Sequence, residues 1–201
     1  MNQAITQFRE NIARVKALAA TIKAVDSITT QAVDLSDFLR AEIVLAISAL
    51  DHFIHELVRL GMLEICSGPR RPTDAYHSFL IPLQYAHSAQ SCSLSDQMWL
   101  DQAIRERHSW LSFQDPDKIA DAIRLISSVH LWEEVGREIG KPAKDIKSNL
   151  KVIVDRRNKI AHEADIDPTN PGVRWPITQQ IASQTVDFVE SITEAIYKVT
   201  N

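Results

Sequence analysis

Along most of this chain apolar residues return every three or four positions, the period of a helix with one buried face. Ile5, Phe8, Ile12, Val15, Leu18, Ala19 and Ile22 predict an amphipathic helix over residues 3–26. Ile43, Val44, Ile47, Leu50, Ile54, Leu57 and Val58 predict a longer, central helix over 35–65, ending at Ser67-Gly68-Pro69. Residues 69–95 carry Pro69, Pro72 and Pro82 with scattered serines, and read as a connector with a short helix at most, around 75–89. Further helices are expected over 94–110, from the cap Asp115 and Pro116 to Ser128, and over 131–139. Gly140-Lys141-Pro142 restarts the chain into a basic helix that should end near Asp165. The loop Asp167-Pro168-Thr169-Asn170-Pro171-Gly172 stops it, and a last amphipathic helix is expected over 177–199. The pattern predicts an all-α bundle over 31–201, with residues 1–30 as an added amphipathic helix serving as lid or dimer arm.

Two charges interrupt this pattern. In the basic helix, Ile146, Leu150, Ile153, Val154, Ile160, Ala161 and Ala164 form one inward stripe at roughly 100° per residue, and Arg157 falls in its middle. Its neighbour Arg156 projects well outside the stripe, while Asn158 and His162, four residues apart, stack on its edge. A guanidinium stays charged at any ordinary pH and is costly to bury unpaired. On the central helix the same construction places Asp51 inside the stripe, with Ser48 and His55 on its edge. Two long helices with one ionic residue each on the apolar face predict that Asp51 meets Arg157. Such a pair either staples the bundle or orients Arg157 toward a phosphate.

The composition excludes several classes. With 201 residues, 45% of them hydrophobic, the chain can bury a core as one domain. Only five Gly and eight Pro, with abundant helix formers, argue against a substantial sheet. Cys66 and Cys92 are too few for a disulfide framework or a zinc site, so neither a metal nor a cofactor is expected, and a reducing, cytoplasmic setting follows. Met1–Glu10 has no apolar signal core, and the longest apolar run, Ile43–Leu50, is far short of a membrane span, so no membrane partner is expected.

Charge is segregated. Of 22 basic and 26 acidic residues, seven basic and two acidic lie between Lys141 and Lys159, leaving 15 basic against 24 acidic elsewhere. A basic helix on an acidic body suits local phosphate recognition, with Lys151, Arg156 and Lys159 as phosphate-contact candidates, although a solvated lysine face gives the same run. His162 beside Arg157 and Asn158 supplies a group of the kind that titrates near pH ~6.5, a fixed cation and a hydrogen-bond donor. Those are the parts that metal-free phosphodiester cleavage needs. His52, His55, His77, His87 and His130 read as surface or capping residues and His108 as structural. No glycine-rich phosphate loop, paired catalytic carboxylates or nucleophile with a recognisable base is seen, so ATP hydrolysis and glycosidase or esterase chemistry are not supported.

Arg157-Asn158-Lys159-Ile160-Ala161-His162 resembles the signature of the HEPN superfamily, an arginine, a polar residue, a few variable positions and a histidine at a helix end. The wider run Val154–Asp165, the following loop with Arg174-Trp175-Pro176, Ser48–Phe53 upstream, Arg105–Ser109, and Ser112–Ile119 are similar to its RiboL-PSP type over roughly residues 35–200. The resemblance implies an all-helical bundle that dimerises, bringing two Arg/His sets into one cleft, and metal-independent cleavage of RNA. On these positions Arg157 binds and stabilises the phosphate, Asn158 positions it and His162 moves the proton, with Ser48 and Asp51 in support. The implied products are a 2′,3′-cyclic phosphate and a 5′-hydroxyl. With one such histidine per chain, acid and base are the two His162 residues of a dimer. A toxin or defence role, with an antitoxin or regulatory partner, is also implied. The competing reading is a non-catalytic helical dimer that binds nucleotide, RNA or a partner protein.

Overall fold

The computed structural model describes residues 1–30, 33–85, 97–170 and 172–201. Its helices are α1 (Asn2–Ile28), α2 (Ser36–Cys66), α3 (Asp74–His77), α4 (Met98–His108), α5 (Pro116–Arg124), α6 (Leu131–Ile139), α7 (Ala143–His162) and α8 (Gln179–Thr200). Among the described residues there is no strand, only an isolated antiparallel bridge between Ile166 and Arg174. The expected helix at 94–96, the outer part of the expected short helix near Ala89, His87 and Cys92 all lie outside the described residues.

α2 is the axis of the bundle because its apolar residues recur on more than one face. Ile43, Ile47, Leu50, Ile54, Leu57 and Met62 are sealed from solvent, and α1, α4, α5, α7 and α8 pack around them. The first helix spends its apolar face in that same core, burying Ile5, Phe8, Ile12 and Val15, so this face is not free to cover anything else. It runs antiparallel to α2. The Met1 ammonium meets Glu64 near the end of α2 at 2.6 Å, and Phe8 packs on Phe53 with ring centres 5.6 Å apart. Arg9–Glu194 (2.7 Å) and Lys16–Glu190 (2.5 Å) tie its outer edge to α8.

Local signals set several ends. Asp115 caps α5 by accepting from the amides of Asp117 and Lys118, with Pro116 in the first turn. Gly140 ends α6 at φ +68°, a left-handed conformation that glycine adopts without steric cost. α7 then leaves, and its stripe is buried only at the start. Ile146, Leu150 and Ile153 are in the core, Val154 and Ile160 are half-buried, Ala161 is exposed, and exposed Ala164 lies beyond the helix. The expected continuous inward stripe therefore stops at Ile153, and the last turns of α7 stand uncovered on one side.

Candidate active site

The uncovered end of α7 carries Arg157, Asn158 and His162. Arg157 is half-buried, and its Nη1 donates to the Asn158 side-chain oxygen at 3.1 Å. Its Nε is shut off from solvent with no hydrogen-bond partner, and no carboxylate pairs with it among the described residues. Asn158 and His162 are exposed one helical turn apart, so both project beside the guanidinium from the open face.

The predicted Asp51–Arg157 pair does not form. Asp51 accepts the Phe113 backbone N–H at 2.5 Å and lies 3.9 Å from His55 Nε2, so a loop amide and an imidazole take the place expected for the arginine. This leaves Asp51 pinning the segment after α4 to the middle of α2. Ser48 is exposed and returns its hydroxyl to the Val44 carbonyl at 2.8 Å, a bond within its own helix.

The neighbouring Arg156 has a different fate. Its Nη2 meets Asp165 Oδ2 at 2.7 Å and also reaches the carbonyls of Trp175 (3.2 Å) and Pro176 (3.2 Å). From α2, Arg40 Nε donates to the same Asp165 oxygen at 2.7 Å, and its Nη2 to the Trp175 carbonyl at 3.0 Å. Asp165 has no exposed surface, so this is a buried clamp between α2, α7 and the following loop. Arg156, expected as an RNA-binding residue, thus shares the Asp165 oxygen with Arg40 and keeps about a quarter of its side chain exposed. The clamp also holds strained backbone, since Ala164 (φ +53°) and Asp165 (φ +60°) are both left-handed without being glycine. The Asp165 amide donates to the Lys159 carbonyl (3.0 Å), and its carbonyl accepts from Trp175 (2.9 Å), which fixes that conformation.

The other two basic candidates are exposed or at the rim and have exchangeable partners. Lys151 meets Asp117 at 3.0 Å, which holds its ammonium above the usual range, and Lys147 shares the same carboxylate at 2.6 Å. Lys159 pairs with Asp155 at 2.9 Å, with the same upward effect on its ammonium, and sits 6.0 Å from the centre of the Trp175 ring. Such surface pairs contribute little and give way to a stronger anion.

Sequence reasoning missed Arg40, Asp165 and Glu42. Arg40 lies on the α2 stripe three and four residues before Ile43 and Val44, so the construction that singled out Asp51 also marks Arg40. Asp165 lies outside any helix and gives no periodic signal. Among the described residues no group of three His, Cys, Asp or Glu side chains is arranged to hold a metal ion, and no helix is long and apolar enough to cross a membrane.

The model of one protein family, RiboL-PSP-HEPN, matches residues 9–201, nearly the whole chain and most of α1 with it. The chain belongs to the RiboL-PSP-HEPN family. No curated protein and no solved structure matches it. Membership in the RiboL-PSP-HEPN family ties the all-α bundle to a nuclease or otherwise RNA-related role, and it places α1 largely within the family domain.

Proposed function

We propose that this chain is a metal-independent endoribonuclease acting as a homodimer. The observation that carries the reading is Arg157, a half-buried cation without an acidic partner among the described residues, beside exposed Asn158 and His162 on the uncovered end of α7. In this mechanism one His162 takes the proton from the ribose 2′-hydroxyl as its oxygen attacks the adjacent phosphorus. The partner subunit's His162 gives a proton to the departing 5′-oxygen. Arg157 stabilises the charge that gathers on the phosphoryl oxygens, and Asn158 holds one of them in place. The bond formed is 2′-O–P and the bond broken is P–O5′, leaving a 2′,3′-cyclic phosphate and a 5′-hydroxyl. Lys151 and Lys159 supply exchangeable charge along the strand. The proposal includes a cytoplasmic toxin or defence role, with an antitoxin or regulatory protein as a further partner.

The test is digestion of total RNA in excess EDTA by wild type, Arg157→Ala and His162→Ala, with end-group analysis. Cleavage that survives EDTA, leaves cyclic-phosphate ends and is lost in both folded variants supports the reading. Activity untouched by His162→Ala overturns it. A second reading, a non-catalytic dimer that binds nucleotide, RNA or a protein, draws support from His162 itself. Within the chain no described side chain hydrogen-bonds its ring, whereas a general base is ordinarily held by an orienting partner.

A further inference from the structure

Beside the open end of α7 is a cavity of about 320 Å³ between the first turns of α2 and the loop after α7. Val44, Ile160 and Ala164 give it an apolar side, and Arg40, Arg174 and Asp37 a charged one. Ile160 follows Arg157 by three residues and Ala164 follows His162 by two, so the cavity adjoins the candidate active site.

Around it three guanidiniums (Arg40, Arg156, Arg174) meet the carboxylates of Asp37 and Asp165, and exposed Asp34, held low by the Ser36 amide first and by Arg40 and Arg174 after it, faces the same pair. Asp165 serves two arginines through one oxygen and is sealed from solvent, so it cannot turn to a third. Arg40 is only 6% exposed, and its Nη1 has no hydrogen-bond partner among the described residues. The Asp37 oxygen lies 3.7 Å from this Nη1, too long for a hydrogen bond. Asp37 also pairs with Arg174, yet its side chain is 69% exposed. A carboxylate on an exposed stalk therefore sits where two arginines converge, one of them buried and short of an acceptor.

We propose that this cavity is a second phosphate subsite, in which a backbone phosphodiester of single-stranded RNA, next to the cleaved one, displaces Asp37 between Arg40 and Arg174. Two guanidiniums bind the oxygens of a phosphodiester more strongly than those of a lone surface carboxylate, and Arg40 brings an Nη1 that has no acceptor among the described residues. Ile160, Val44 and Ala164 give the adjoining sugar or base an apolar wall. The subsite rests on the reading of the chain as an RNA-cleaving enzyme, since it places the strand along the end of α7.

The test is the affinity of a uniformly 2′-O-methylated, uncleavable oligonucleotide, measured by fluorescence anisotropy across a salt series. Arg174→Gln and Asp37→Asn are compared with wild type; both residues are exposed, and the buried clamp is left intact. Arg174→Gln is expected to weaken binding about fivefold and to lower the log–log salt slope by about 0.7, the value for one phosphate on a single strand. Asp37→Asn is expected to tighten binding, because the competing carboxylate is gone. Inorganic phosphate in millimolar excess should leave the oligonucleotide bound, whereas equal competition by it would reassign the pocket to a free anion and overturn an RNA subsite. Unchanged affinity and slope in both variants, or no binding by wild type, also overturns it. If the wild type cleaves RNA while the variants bind like it, the subsite falls and the ribonuclease reading stands. If the variants shift as expected while the wild type never cleaves, the subsite stands and the catalytic reading falls.

Discussion

At Glu42 the chain keeps a carboxylate almost wholly out of solvent, and its Oε1 has no hydrogen-bond partner among the described residues. Burial pushes its pKa above the ordinary carboxylate value. A raised acid contributes its stability below the unfolded pKa and loses it as the pH rises through the folded one, so at neutral pH ionised Glu42 weakens the fold. Glu42→Gln is expected to stabilise by about 1 kcal/mol at pH 7, a rise in Tm of about 2–4 °C, with the gain vanishing near pH 4. Calorimetry at the two pH values checks this, and a variant equally or less stable than wild type at pH 7 would refute it. His108 is the mirror case. Burial first, then His55 and Arg107, drive its imidazole down to about 4. Phe113 (5.4 Å between ring centres) and Phe79 (5.8 Å) pack on it edge to face, and Nδ1 has no hydrogen-bond partner among the described residues. A lowered imidazole contributes fully above its unfolded value near ~6.5 and loses that contribution as pH falls through about 4. Across this window the loss is on the order of 3 kcal/mol. His108→Leu should flatten the Tm–pH curve between pH 6.5 and 4 relative to wild type, and parallel curves would refute it.

At the scale of elements, two kinds of ion pair hold α7, and they should respond very differently to substitution. The Arg40–Asp165–Arg156 clamp is buried, so Asp165→Asn leaves two guanidiniums facing a neutral amide. A loss of about 3–5 kcal/mol is expected, with faster hydrogen exchange at the Asp165 and Trp175 amides, because the left-handed turn depends on the same residue. Lys151→Ala breaks a pair whose two side chains are half-exposed or more, and should change stability by no more than about 0.5 kcal/mol. Similar losses in the two variants would contradict this division. The same contrast shows what the sequence discloses. The spans of α2, α6 and α8 follow from three-and-four periodicity, and the start of α5 from Asp115-Pro116, since these signals are local. The expected Asp51–Arg157 contact assumed that ionic residues on two apolar stripes pair with each other. It failed because the Phe113 amide, 62 residues from Asp51 in sequence, reaches that carboxylate first. The clamp was hidden for a related reason. Arg40 and Asp165 are 125 residues apart, and only the wheel position of Arg40 hints at it. The open end of α7 was also invisible, because periodicity marks which face of a helix is apolar but not how far its neighbours extend along it.

For the whole molecule, the number of imidazoles decides what state can act. The proposed cleavage needs one group to remove a proton and another to supply one, and the end of α7 offers a single histidine per chain. His108, buried and held near 4, is neutral at physiological pH and on another wall of the bundle, so it does not serve as the second. In the proposed dimer, the exposed Ala161 and the Arg157 Nε, which has no partner among the described residues, belong to a face completed by a second copy related by a two-fold axis, which would bring the two His162 rings together. Activity should then track dimer concentration. On dilution through the dissociation range measured by sedimentation, cleavage rate per chain is expected to fall in step with the dimer fraction. Ala161→Glu, which places a charge on that face without touching the core, is expected to give a folded monomer with at least a hundredfold less activity, the order of one lost acid–base group. A monomeric Ala161→Glu variant that cleaves at the wild-type rate would place both proton transfers within one chain and remove the need for a composite site.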